Sequence, residues 1–368
     1  MAAAALAAGC AHPGGDWNRA AAARYLDSRA SQWLSWGPAA RAHGTVCISC
    51  HTTLPYLMAR QLLPQPGLPT PERRLLADVQ ERVRAGPGAA PWYPGQAAAS
   101  RGTEAVLNAL ILADEDARAG HLSTLAAAAL ERMWAQQLTS GPEAGSWPWI
   151  GFDNEPWEAP DSRYYGAALA ALAAATAPDD YLARPPVQER LQLLRNYLTR
   201  AYPDQMLLNR ITLLWAAGRM PQLMAPDVRR SLIAQIWAQQ RADGGWCLAS
   251  LMPRWARRDG GRQSSDSDGF ATAFVVLALR QSGVAPADAR LQRGLSWLAA
   301  HQNRWRGDWS ADSPNHRHGY WDTTRHFMDD AATAFAVMAL SGQSQGNPRP
   351  TPVQSLGKAR TAATPRPG

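Results

Sequence analysis

Gly269–Leu279, GFATAFVVLAL, and Asp330–Leu340, DAATAFAVMAL, are the two stretches whose reading decides the fold. Both carry Ala-Thr-Ala-Phe and close on Ala-Leu, and both are apolar on nearly every side of a helix. A helix apolar all round has to be surrounded by protein. Each stretch follows a polar loop and each loop follows an amphipathic helix, so the unit is an outer helix, an aromatic loop and an inner helix. Tracing that unit backwards gives six copies. Outer helices are expected near 17–36, 72–85, 122–138, 187–201, 227–241 and 288–302, and inner helices near 53–63, 102–115, 164–176, 206–217, 269–282 and 330–341. The fourth copy has the shortest loop, around Pro203 and Asp204. Inner stretches such as Gly166-Ala-Ala-Leu-Ala-Ala-Leu172 are small and apolar, whereas the outer ones carry charge on one face, as at Glu189, Arg190 and Arg195. Six inner helices wrapped by six outer ones bury one another and close without an exposed end. The expectation is an all-α protein, an (α/α)6 toroid forming one domain over residues 17–342.

Composition agrees. Ala and Leu dominate, β-branched residues are sparse, and no segment alternates apolar and polar residues over a strand's length. The 46% apolar content is enough for a sizeable core. The net charge of +7 comes from scattered arginines, Lys358 being the single lysine. The one local concentration, Arg254, Arg257, Arg258 and Arg262, reads as a solvated loop, so no nucleic-acid partner is expected. The apolar run Tyr164–Ala177 is too short to cross a bilayer, so no membrane-spanning segment is expected. Residues 1–16 form a signal-like or disordered segment ending near Leu6-Ala-Ala-Gly-Cys10, which resembles the end of a bacterial lipoprotein signal without its basic start. Export to the periplasm or outer surface is the expectation, with a cytoplasmic Ala-rich tail as the alternative. Residues 343–368, rich in Pro, Gly, Ser and Arg, are expected to be a disordered tail.

Two outer helices end alike. Gln239-Gln-Arg-Ala-Asp-Gly-Gly-Trp246 and Gln302-Asn-Arg-Trp-Arg-Gly-Asp-Trp309 both place Gln and Trp seven apart, and a looser copy runs from Gln137 to Trp147. These resemble the Gln/Trp repeat of squalene-hopene cyclases and their toroid relatives, and the resemblance covers nearly the whole chain from 17 to 342. It implies fold more than function, because the same toroid hosts several chemistries.

Repetition puts the openings of all inner helices around one mouth. Aligning the closing residues Leu172, Leu279 and Leu340 brings Asp161, Asp268 and Asp329 to equivalent places, with Arg101, Glu104, Arg163, Asn209, Arg210, Asp266 and Asp330 nearby. Each acid can be read as a helix cap. The cyclase resemblance offers another reading, since that family opens an inner helix with Asp-x-Asp-Asp-Thr-Ala and protonates an alkene with its second Asp. Asp266-Ser-Asp268-Gly269 is similar to that motif and would make Asp268 the general acid of a class II terpenoid cyclase or isomerase. It departs at Gly269, and Thr272-Ala273 comes two places late. Prenyltransferases of the same fold need a zinc-binding Asp-x-Cys and a His, where this chain has Asp268-Gly269-Phe270 and Ala332, so that activity is not expected.

The sharpest local motif is Cys47-Ile48-Ser49-Cys50-His51. It resembles the attachment site of c-type cytochromes, which implies thioethers at Cys47 and Cys50 and His51 as the iron ligand. With the sixth copy beside the first, Met58, His316, His318 or His326 could supply a second axial ligand. Alternatives are a zinc site formed by Cys47, Cys50 and His51 with a histidine of the last loop, or a disulfide. Cys247 is expected to be a buried thiol. Trp147, Trp149 and Trp157 cluster in the third loop and serve either packing or an apolar ligand. The combined expectation is an exported toroid with a covalent haem c at its mouth, working in electron transfer or redox chemistry on an apolar, isoprenoid-like molecule. The alternatives are a cyclase using Asp268, and a non-catalytic binding scaffold.

Overall fold

Residues 16–63, 70–86, 89–319 and 321–342 are described by the computed structural model. The expected N-terminal segment, apart from Asp16, and the expected tail over 343–368 lie outside the described residues. Among the described residues the chain is all-α, and its β-structure is limited to two isolated bridges.

In chain order, outer and inner helices alternate: α1 (Arg19–Ser35), α2 (Thr53–Arg60), α3 (Thr70–Ala85), α4 (Ala97–Ala119), α5 (Thr124–Ala135) and α6 (Arg163–Thr176). After a short α7 (Asp179–Leu182) come α8 (Pro185–Ala201), α9 (Leu207–Arg219) and α10 (Pro226–Ala238). A short α11 (Leu248–Leu251) precedes α12 (Gly269–Gln281), α13 (Ala289–Ala300) and α14 (Phe327–Leu340). The inner helices contact one another in a closed cycle, α2 to α4, α6, α9, α12, α14 and back to α2. Each of α1, α3, α5 and α13 packs against two inner helices, while α8 lies on α6 and α10 on α9.

Helix α6 shows why the inner layer forms, since Tyr164 to Ala175 are all buried and small side chains let neighbours approach from every side. The largest departure from the expected boundaries is α4, which starts at Ala97 on three alanines and runs to a left-handed Gly120 at φ 74°. Helix α14 also starts early, because the 3-10 turn Thr323–His326 feeds straight into it. Asp329 and Asp330 therefore sit inside its first turn rather than ahead of it.

One device, used three times, ties neighbouring copies together. Gln137 Nε2 donates to Gly145 O and to Arg190 O of α8; Gln240 Nε2 donates to Gly244 O and Arg290 O of α13; Gln302 Nε2 donates to Gly307 O and Asn18 O at the start of α1. The last of these closes the ring. In the fifth copy the residue doing this is Gln240, not the Gln239 expected from the seven-residue spacing. The paired indoles donate back to the outer helix, Trp147 to Met133 O, Trp246 to Ile236 O and Trp309 to Leu298 O. Gly307, at φ 93°, fits because a Cβ there would stand 2.2 Å from Ala21 O, so only glycine lets the turn touch α1.

The shared Ala-Thr-Ala-Phe explains itself in the same way. Thr272 Oγ1 accepts from Trp246 N at 2.9 Å and Thr333 Oγ1 from Trp309 N at 3.1 Å, pinning each aromatic loop to its inner helix. The interior is packed with aromatic rings, Phe270, Phe274, Phe335 and Trp215.

Candidate functional site

The outer-to-inner loops of copies one, two, three and six meet at one end and enclose a cavity of about 250 Å³. Its walls are largely aromatic, with Trp33, Trp36, Trp92, Tyr93, Phe152 and Phe327, and its polar lining includes Cys47, His51, Glu158, His316 and His318. The third and sixth loops are stitched over it, since Glu155 N donates to Asn315 Oδ1 and Asn315 Nδ2 donates to Glu155 O. Arg258 adds ion pairs to Asp153 and Glu155 at 2.9 and 2.8 Å. That part of the arginine loop is thus a clasp across two copies rather than only a solvated face.

His51 is held by a relay that runs through the neighbouring sixth copy. Arg29 grips Asp330 with Nε to Oδ1 at 2.7 Å and Nη2 to Oδ2 at 3.2 Å, both side chains being buried. Tyr25 and Thr52 also donate to that carboxylate. Because the Thr52 hydroxyl spends its one proton on Asp330, its oxygen accepts from His51 Nδ1 at 3.0 Å. The proton of the neutral ring therefore sits on Nδ1, and Nε2 keeps a lone pair that no described residue engages. Burial, with Arg29 nearby, pushes the imidazole down to about 3, so it stays neutral. Phe327 stacks on the ring at 3.6 Å between centroids, and Trp33 and Trp157 flank it.

Glu158 is the opposite case. It follows Trp157 in a tight loop where Asn154 and Glu158 form an isolated bridge and Asp153 takes a positive φ of 55°. Asn154 Nδ2 donates to its Oε2 at 3.1 Å, and among the described residues no cation pairs with it. Burial pushes the carboxyl up to about 7. The cavity thus holds a neutral base and a carboxyl whose surroundings drive their affinities for protons apart, the pattern of paired acid and base sites.

Both cysteines of the motif are free thiols, so the disulfide is not formed. Cys47 lines the cavity within 3.6 Å of the Tyr93 hydroxyl, and burial pushes its thiol up. Cys50 has no exposure, does not line the cavity and is pushed well above the usual thiol range by burial, with Glu158 and Cys47 adding to it. A haem bonded through both sulfurs and ligated by His51 needs all three groups on one open surface. Cys47 and His51 line the cavity, but His51 is packed among aromatic rings and Cys50 is outside the lining, so the residues as arranged do not fit the haem implied by the motif. Among the described residues no three His, Cys, Asp or Glu side chains converge on a metal position either, so Cys47, Cys50, His51 and a histidine of the last loop do not form the ligand cluster that the zinc alternative needs. Cys247 is buried as expected, with its Sγ at 3.1 Å from Ser264 O.

Of the remaining site residues read from sequence, His316 and His318 reach the cavity, with rings 4.2 Å apart. His318 Nδ1 lies 2.8 Å from Thr324 Oγ1 and 3.2 Å from Asp322 Oδ2. His326 instead faces Asp329 at 3.3 Å outside the lining. Met58 is buried one turn and more along α2, lining small cavities with Gln61 and Trp215 and not the mouth.

Two of the four candidate acids anchor backbone at the start of an inner helix. Asp268 caps α12, with Oδ1 accepting from Ala271 N at 2.8 Å and Oδ2 from Leu248 N at 2.6 Å. Asp329 does the matching job, its Oδ1 accepting from Ala311 N at 3.0 Å. Each thus anchors the backbone two residues past a repeat tryptophan. Loss of solvent pushes Asp268 up to about 7, but it does not line the rim cavity and both oxygens are engaged. Asp266 and Asp161 are exposed, and Asp161 contributes only its backbone carbonyl, to Asn209. Sequence reasoning missed Glu158, Thr52 and the Arg29–Asp330 pair as parts of the site. The one sequence signal for Glu158 was a carboxylate set among the tryptophans of the third loop.

No family model matches the chain. A segment of 73 residues is 38% identical to a probable squalene–hopene cyclase of Sinorhizobium fredii, covering 19% of this chain and 11% of that protein. The match therefore spans about a tenth of the relative's length. Together with the helical ring it supports a cyclase-like α/α scaffold. No helix among the described residues is long and apolar enough to cross a membrane.

Proposed function

We propose that the chain takes an apolar, isoprenoid-like molecule into the cavity at the rim of its ring and moves a proton on it through Glu158. The observation that supports this is a carboxyl without an ion-pair partner among the described residues, set in a cavity that six aromatic rings line together with polar groups. A group that titrates near neutral pH both gives and takes a proton at useful rates. The rings of Trp33, Trp36 and Phe327 that line the cavity steady positive charge as it develops on the ligand. His51 contributes a fixed, neutral Nε2 that accepts a hydrogen bond from a hydroxyl on the ligand. The general acid of this reading is Glu158 in place of Asp268, whose oxygens are committed to backbone N–H groups.

The experiment is binding and turnover with farnesol and squalene. Tryptophan fluorescence should be quenched by one or both in wild type and in Glu158→Gln, while product analysis should show conversion by the wild type alone. Failure of both polyprenes to bind, or conversion that persists in Glu158→Gln, would sink the proposal.

A further inference from the structure

A second cavity, of about 190 Å³, lies between α3, α4 and α5, and shares Trp92 and Glu104 with the rim cavity. Three guanidinium groups line it, from Arg82, Arg101 and Arg132, against the single carboxylate of Glu104. Glu104 is already committed, because it pairs with Arg82 at 2.6 Å. Among the described residues neither Arg101 nor Arg132 has a carboxylate partner or any hydrogen-bond acceptor, and Arg132 Nη1 and Arg82 Nε are enclosed without one. Gly86 makes room for this arrangement, since a Cβ there would stand 2.7 Å from Arg132 Nη1. Asn108 and Gln136 complete the polar lining. Two unpaired guanidiniums in a concave site of small volume form a forked set of donors suited to an oxyanion.

We infer that this pocket binds a compact oxyanion of the phosphate class, held by Arg101 and Arg132 and seated beside the Arg82–Glu104 pair. The site stands independently of the reading of Glu158, because none of its three arginines lines the rim cavity. Its junction with that cavity at Trp92 allows the anion to be either free or the head of a longer ligand.

The test is calorimetric titration, at low ionic strength in a buffer without phosphate or sulfate, with inorganic pyrophosphate and separately with farnesyl phosphate. Binding of pyrophosphate supports a site for the free anion, and binding of farnesyl phosphate alone supports the head of an amphiphile. Affinity should fall about tenfold for each arginine removed in Arg101→Gln and Arg132→Gln and be only partly restored in Arg132→Lys, which keeps the charge and loses the fork. Neither arginine holds a structural ion pair, and unchanged melting curves of the variants without ligand will show that folding is intact. No binding of either compound, or binding indifferent to both substitutions, overturns the inference.

Discussion

Glu158 and Asp268 are both carboxyls that loss of solvent pushes up to about 7, yet they sit in opposite kinds of place. Asp268 spends its two oxygens on the backbone N–H groups of Ala271 and Leu248, at the start of an inner helix in the most regular part of the ring. Glu158 has one amide partner and borders an open cavity in an irregular loop. A raised proton affinity therefore does not by itself identify a chemical group. What separates the two is whether the oxygens have been satisfied by the fold and whether a ligand can reach them.

Breaking the relay behind the rim should have the largest effect. Arg29→Met strands the buried Asp330 carboxylate and is expected to cost about 3–5 kcal/mol in chemical denaturation. A much smaller loss would mean that the rim is not held from the sixth copy. Next comes Asp268→Ala, which removes a cap and leaves Leu248 N without an acceptor, for about 2 kcal/mol. It should leave binding of a polyprene unchanged, and weakened binding would erase the distinction drawn between the two acids.

Substitutions at the rim should act through pH. Glu158 binds its proton more tightly when folded, so its contribution is fully present below about pH 4.5 and is lost as pH rises through about 7. Glu158→Gln should therefore gain on the wild type across that window. His51 has the opposite sign, since its folded value is lowered from 6.5 to about 3 and its contribution is lost as pH falls through that range. His51→Gln should gain on the wild type toward acid pH, and matching slopes for the two variants would contradict the assignment. The smallest expected effect is none at all: co-production with haem-maturation machinery should leave the mass and visible spectrum unchanged, because Cys50 is turned out of the cavity. A mass gain of one haem, lost in Cys47→Ala, would refute that placement.

Much of the fold was legible because burial imposes a repeating pattern. The Ala-Thr-Ala-Phe stretches, the apolar inner helices and the Gln and Trp residues mark positions that recur from copy to copy, and helix limits departed most at the two ends of α4 and less at the start of α14 and the ends of α2, α5 and α10. The site was less legible. The Cys-x-x-Cys-His spacing drew attention to the right loop, and His51, Cys47, His316 and His318 do share a cavity. The direction of Cys50 depends on how the loop is pinned from outside it, by Trp33 Nε1 on Cys47 O and by Asp78 on Val46 N, and spacing carries none of that. Glu158 lies in a loop without periodicity, and Thr52 gains its role only from Asp330, 278 residues away.

The most direct test is a carbon-13 NMR titration of the side-chain carboxyls, assigned by Glu158→Gln and Asp268→Asn, with and without farnesol. The account predicts that the Glu158 resonance titrates near pH 7 and moves when farnesol is added, while Asp268 does not respond to it. A response confined to Asp268, or a Glu158 signal indifferent to the ligand, would contradict it.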